Sequence, residues 1–367
     1  SWSISDMQAG FYNIVYRGGD VGIRIETNVE VPGNPRGLMV NPKLTLPSIV
    51  TDPNLVVQDQ TIEVSGNITI TDATSLTFSG TNYLLFTTGS SRLTVEAEVN
   101  FQTNTTLSGI RLAGTGIPRL IFIGQNNFGI RGLRAIDDMR VQVNGASLSF
   151  ADCVFKGGTS AGLELTASTI SVSRSLVSSS IEGISLMQMS SFNCDNSVFY
   201  NNNTAILASI VGQGVIEKNT FLVMNEGIEC GSSNGNTIFE IRNNVFRGGD
   251  QQVLLGPNSI MQIRQNEFYD ANKNIHLEPV SHPVPSIDVV INQNSFFNTS
   301  SFALELENTT ALDTVDALSN YWGTVDISEI NNLIFDRNDR PNETSIRFVN
   351  YTPFATEPVQ GAGIGGN

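Results

Sequence analysis

The chain has 367 residues, a formal charge of −15, and only 15% charged positions. With four lysines and two histidines, it is a poor match for nucleic acid or anionic membrane surfaces. No apolar run approaches the roughly 18 residues of a membrane span, so no membrane insertion is expected.

The opening SWSISDMQAG is neither basic nor followed by an apolar stretch, and reads as a processed or trimmed start. Residues 1–58 carry Pro32, Pro35, Pro42, Pro47 and Pro53 without regular spacing. They are expected to form an N-terminal cap, because the end of a stacked-strand body exposes unpaired edges. Residues 60–125 alternate apolar and polar in short runs such as TIEVSG, SLTFSG and RLIFIG, punctuated by Gly and Ser. These read as early, less regular coils of a repetitive body.

From residue 120 onward a repeat is legible. The residue that follows Asn-x or its equivalent recurs at Phe128, Phe155, Val177, Phe199, Phe221, Phe246, Phe268, Phe296 and Trp322. Successive spacings are 27, 22, 22, 22, 25, 22, 28 and 26 residues, so the basic period is 22 with small insertions. Two positions before these anchors stand Asn126, Asn219, Asn244, Asn266, Asn294 and Asn320, with Cys153, Ser175 and Ser197 in the same column. Five and seven positions before come mostly apolar residues, and seven to ten after come pairs such as Ile228 and Cys230. Period-two alternation marks strands with one buried face. The parity breaks between the −5 position and the anchor, so a bend lies there. Asn tolerates the left-handed backbone well, and the column Asn is expected to make that bend.

Each repeat is thus strand, bend, strand, turn, strand, turn: one coil of a parallel β-helix, all-β and right-handed by default. Stacked Asn side chains would form a coil-to-coil ladder and the anchors a core column. The body is expected over 59–322, a C-terminal cap over 323–355, and a flexible Gly-rich tail over 356–367.

The coils, the Asn bend and the closing SNYWGT resemble right-handed parallel β-helix proteins of the pectate-lyase-like superfamily, especially bacterial secreted or surface members whose last coil ends in Asn-Tyr-Trp-Gly. The following INNLIFDRND and VNYTPF are similar to the tail of those proteins. That superfamily includes lyases, hydrolases, adhesins and phage spikes, so the resemblance implies a fold more than an activity. In lyase members, the resemblance implies chemistry on the strand carrying the GIxL pattern. Its outward positions here are Glu164, Ser185, Leu207, Glu229, Leu254, His276 and Glu305. β-Elimination on a uronate needs a cation and a base such as Arg or Lys. This column has neither, and the turns before it are short.

His276 is the best general-base candidate, two coils or about 10 Å from Glu229, and is expected on an exposed polar face. A second outward column reads Asp195, Glu217, Arg242, Arg264 and Asn292. It reads first as a charge-balancing ladder, and second as a saccharide or ion site. Asp137 and Asp138 suggest a glycosidase pair, but adjacent strand residues face opposite sides. No Cys-x-x-Cys or Cys-x-x-His spacing exists for a metal, and Cys153, Cys194 and Cys230 read as buried thiols. No cofactor is expected, save calcium at the acidic turn holding Asp336, Asn338 and Asp339. Few lysines, frequent Asn and Thr, and several Asn-x-Ser/Thr triplets suit an exported protein. The sequence therefore points first to a secreted or cell-surface, non-catalytic rod that is structural, adhesive or self-assembling. The alternatives are a polysaccharide lyase or other carbohydrate-active enzyme with a shallow site, and a glycan-binding module. Expected partners are other copies of the chain or extracellular polysaccharide.

Overall fold

The structure, a computed structural model, describes residues 13–15, 24–26 and 43–365, apart from 73, 81, 97, 102–104, 110–116, 125–126, 137, 224, 232–236, 257–258, 279–287, 308–313 and 344. The chain divides into two compact units, Ser1–Pro42 and Lys43–Asn367. Within the first, Asn13–Val15 pairs antiparallel with Arg24–Glu26. The second is a parallel β-solenoid of about 10 turns, in which each coil contributes strands to three stacks.

The anchor face is a 12-stranded parallel sheet running from Lys43–Leu44 to Ser295–Phe297. The second face follows it in each coil, through strands such as Leu163–Thr166, Glu226–Cys230, Lys273–Leu277 and Phe302–Leu306. The third face carries Ser147–Ala151, Thr237–Arg242, Ser259–Arg264 and Asp288–Asn292. Residues 43–58, read as part of the cap, already pair with the next coil: Leu44 with Ile62, Val50 with Ile70 and Val57 with Phe78.

The 22-residue spacing is coil-to-coil register made visible. Phe155 pairs with Val177, then Phe199, Phe221, Phe246, Phe268 and Phe296 in turn. Five rings from Phe199 to Phe296 stack at centroid spacings of 4.5 to 5.1 Å, and Trp322 closes the column 5.0 Å from Phe296. All these rings are buried. Strand separation of about 4.8 Å sets that spacing, so identical rings in one column stack with little adjustment. Phe128 is a correction. It pairs with Leu148 on the third face, while Ala135 occupies its expected place opposite Phe155. Its Asn126 lies outside the described residues.

The Asn column makes the expected ladder, but not by the expected backbone. The left-handed residue is the one before it: Lys218, Asn243, Gln265, Gln293 and Ser319 have φ of 53° to 57°. The column Asn instead turns its amide along the solenoid. Asn244 Oδ1 accepts from Asn219 N at 2.9 Å, Asn266 Oδ1 from Asn244 N at 2.9 Å, Asn294 Oδ1 from Asn266 N at 3.0 Å and Asn320 Oδ1 from Asn294 N at 2.8 Å. Each Nδ2 donates backward to a carbonyl of the preceding coil, such as Asn266 to Ile241 O at 2.8 Å. Ser175 and Ser197 continue the ladder with hydroxyls, accepting from Cys153 N and Ser175 N. A bend strips backbone groups of sheet partners, and the side-chain amide, with donor and acceptor together, replaces both.

Beyond the anchor at Trp322, Asp326 caps a short helix, Ile327–Leu333, accepting from Ser328 N and Glu329 N. Ile334–Phe335 then pairs with the second-face strand Phe302–Leu306, and Val349–Asn350 with Val315–Asp316. The Gly-rich end, read as a flexible tail, runs back along the bends. Val359 N donates to Ser295 Oγ, Asn243 Nδ2 to Gly361 O and Gly363 N to Gln265 O. Among the described residues no helix is long and apolar enough to cross a membrane.

Candidate functional site

The second face carries the expected outward column in register: Glu164, Ser185, Leu207, Glu229, Leu254, His276 and Glu305 are successive partners. Its turn from the anchor face is held by a polar cluster that sequence reasoning missed. Asn274 Nδ2 donates to Gln252 Oε1 at 2.8 Å, and Gln252 Nε2 donates to Gly248 O at 3.0 Å. The preceding Gly is explained by close approach. A Cβ at Gly227 would lie 2.3 Å from Gln252 O of the next coil.

Glu229 stands in an acidic neighbourhood. Its own burial, then Glu226, Glu278 and Glu182, push its pKa up to about 7. After burial, Glu226 is the largest of these causes, because its carboxylate opposes a second negative charge beside it. Thr204 Oγ1 donates to Glu226 Oε2 at 2.7 Å.

His276 is not on an exposed face: it retains only 6% exposure. Its Nδ1 lies 2.6 Å from Gln251 Oε1. Facing an amide oxygen, Nδ1 is the donor, and in the neutral ring the lone pair then falls on Nε2. Nε2 lies 3.5 Å from Glu305 Oε2 and 3.4 Å from Glu307 Oε1, but forms no hydrogen bond. Lys273 Nζ lies 2.5 Å from Glu305 Oε2. Burial lowers the His276 pKa against the pull of Glu305 and Glu307. Glu307 was absent from the sequence reading because it lies 31 residues away, beyond the end of its strand.

On the third face the charged column is in register and internally paired. Arg242 Nε donates to Glu217 Oε2 at 2.7 Å, and Arg242 Nη1 to Glu240 Oε1 at 3.3 Å. Arg264 Nε donates to the same Glu240 oxygen at 2.8 Å. Glu240, two residues before Arg242 on the same strand face, is the partner the column reading missed. Asp195 accepts from Asn196 Nδ2 at 2.6 Å. A shallow depression of about 440 Å³ lies beside this column, with Asn193, Gln213, Ile238, Glu240 and Gln262 in its lining. Outside the anchor face, Arg247 lies over the Tyr269 ring at 4.1 Å, Tyr269 stacks on Phe297 at 4.6 Å, and Phe297 tilts toward Tyr321 at 5.8 Å.

Asp138 accepts from Thr159 N in a left-handed turn, and Asp137 lies outside the described residues. The acidic turn near the end folds on itself. Asp336 accepts from Asn338 N and Val349 N, while Asp339 accepts from Asp336 N. Cys153, Cys194 and Cys230 are free and buried, and burial pushes the Cys153 thiol up to about 12. Such thiols are packing groups rather than nucleophiles. No protein-family model matches the chain, and neither a curated protein nor a solved structure matches it.

Proposed function

We propose that this chain is an exported, non-catalytic β-solenoid with a structural or adhesive role at the cell surface. In this reading it winds right-handed, as in the pectate-lyase-like proteins that its SNYWGT closing resembles. Its partners are other copies of itself or extracellular polysaccharide. The observation that carries the reading is the state of four cations on the two outward columns or beside them. Arg242 is held between Glu217 and Glu240, Arg264 by Glu240, Arg140 by Glu164, and Lys273 by Glu305. Elimination from a uronate that uses Arg or Lys as its base needs that group free to take a proton, and these four are paired with carboxylates.

Two rival readings have a specific observation each. For a hydrolase, Glu229 has the raised pKa of a general acid. Its acidic neighbour Glu226 stands beside it rather than across a gap that would hold a sugar. For a glycan-binding module, the row Arg247, Tyr269, Phe297 and Tyr321 is aromatic and axial. Its stacked ring faces are turned on one another, so a sugar would meet edges rather than faces.

The test is incubation with uronate and neutral polysaccharides, followed by ultraviolet absorbance of unsaturated product and a reducing-end assay. Affinity electrophoresis and sedimentation run alongside. No cleavage, with self-association or polymer retention, is the expected outcome. Cleavage that Glu229→Gln or Arg242→Gln abolishes would overturn the reading.

A further inference from the structure

We propose that His276, Glu305 and Glu307 bind a first-row divalent transition cation, Zn2+ foremost. The three offer one nitrogen and two carboxylate oxygens, all within 4.8 Å of one another. His276 is the decisive member. It is more than nine-tenths buried, its Nδ1 is engaged by Gln251, and its Nε2 faces the two carboxylates without a hydrogen bond. A ring lone pair directed at carboxylate oxygens is repulsive unless something positive lies between them.

Lys273 answers part of the charge of Glu305; between the ring and Glu307 the positive charge is either a proton or a metal ion, and distance discriminates. A charge-assisted N–H···O bond is about 2.7–2.9 Å long. Nε2 is 3.4 and 3.5 Å from the nearest carboxylate oxygens. Bonds of about 2.0–2.1 Å to a tetrahedral zinc place neighbouring ligand atoms ~3.4 Å apart. The two nitrogen–oxygen gaps match the edge of a coordination tetrahedron and are long for a proton bridge, and the three ligand atoms together lie within 4.8 Å.

The surroundings fit as well. Gln251 fixes the ring orientation from the far side, the outer-sphere arrangement that metal-bound imidazoles ordinarily have. The charge of Glu278 is also felt at His276, and Lys273 contacts Glu305. Three carboxylates against one ammonium leave a formal charge of −2, which a divalent cation cancels. A nitrogen donor favours zinc and its neighbours over calcium, which prefers oxygen alone. Three protein ligands leave a fourth position for water or for a donor from a partner. The ligands stand on the adjacent strands Lys273–Leu277 and Phe302–Leu306 and just after the latter, so the ion would tie two coils together.

The experiment uses the full chain after dialysis against a chelator. Zn2+ and Ca2+ are titrated calorimetrically, and Co2+ is added to read its visible d–d absorption. One Zn2+ per chain is expected, without competition from Ca2+. Co2+ should give the intense spectrum of a tetrahedral site. Gln251→Leu should weaken Zn2+ by about tenfold, the usual effect of losing an outer-sphere partner. His276→Gln should weaken it by more than ~100-fold, with the Co2+ spectrum lost. Glu307→Gln changes a half-buried side chain at the strand end, and is the deciding variant should His276→Gln not fold. Absence of Zn2+ binding, undiminished affinity in Glu307→Gln, equal Ca2+ affinity or a weak octahedral Co2+ spectrum would each overturn the proposal.

Discussion

At the corner between the third and anchor faces, polar groups are answered one coil along. From Ser175 to Asn320 the ladder side chains supply an acceptor to the preceding coil, and the column is buried throughout. On the second face the polar groups crowd instead of pairing off. Burial and Glu226 raise the pKa of Glu229, and His276 directs Nε2 at two carboxylates. Both regions are columns of one solenoid with the same coil spacing. Hydrogen bonding is saturated where the chain must bend. Charge is concentrated where nothing in the coil geometry requires it, at a cost in stability. The contrast marks the corner as the better satisfied of the two regions.

The largest test breaks the scaffold. Asn266 is fully buried, accepts from Asn244 N, and donates to Ile241 O and Arg264 O. Asn266→Ala leaves at least one buried N–H and one carbonyl unanswered and opens the ladder in its middle. At about 1–3 kcal/mol per orphaned group, the loss should reach about 4 kcal/mol, read as a shift of the urea midpoint. A loss below about 1 kcal/mol would show that the ladder is ornamental. Phe246→Leu is milder. It keeps most of the apolar volume but interrupts the ring stack between Phe221 and Phe268. About 2 kcal/mol is expected, from aromatic contacts on both sides plus imperfect refilling.

The scaffold was largely legible in the sequence because parallel register turns neighbours in space into residues 22 to 28 apart. Any column with a strict chemical demand then recurs: Asn where a bend needs both donor and acceptor, Phe where rings stack. The reading failed where a motif occurred without its register. Asn126 and Phe128 mimic the pattern, yet the coil there is about 20 residues long and Phe128 falls opposite Leu148. It also assigned the left-handed turn to the ladder Asn rather than its predecessor, because a residue tolerant of that backbone and a residue capping a neighbour look alike in one dimension. The second face was legible as a column but not as an environment. Alternation places His276 outward beside Glu305, whereas its surroundings also include Gln251 and Glu307, which lie outside that column.

Glu229 provides a test of opposite sign. Its folded pKa is raised to about 7, so between roughly its unfolded value near 4.3 and pH 7 the folded state binds more protons than the unfolded one. Stability should therefore fall as pH rises through that window and stay lower above it. Glu229→Gln removes the ionisation and should stabilise the protein at pH 8 by about 1 kcal/mol after allowance for solvent screening, with no gain near pH 4. Melting curves at both pH values check this. Loss of stability at pH 8 would mean the acidic face is as well satisfied as the ladder, and the contrast between the two regions would fail.

The smallest effect is expected at Arg242, which lies on the polar surface between the two regimes. It pairs with Glu217 and Glu240, but its side chain keeps 30% exposure. Solvent competes for such a group, and a bridge of this kind is worth about 0.2–1 kcal/mol. Arg242→Gln should therefore destabilise by less than about 1 kcal/mol at low salt, and less still at 1 M salt, where screening acts within about 3 Å. Arg264 remains bonded to Glu240, so that carboxylate is not stranded by the substitution. Glu217 is left to solvent rather than buried unpaired, which keeps the loss in the surface range. A loss of several kcal/mol, insensitive to salt, would instead place the charged column with the Asn ladder as part of the scaffold.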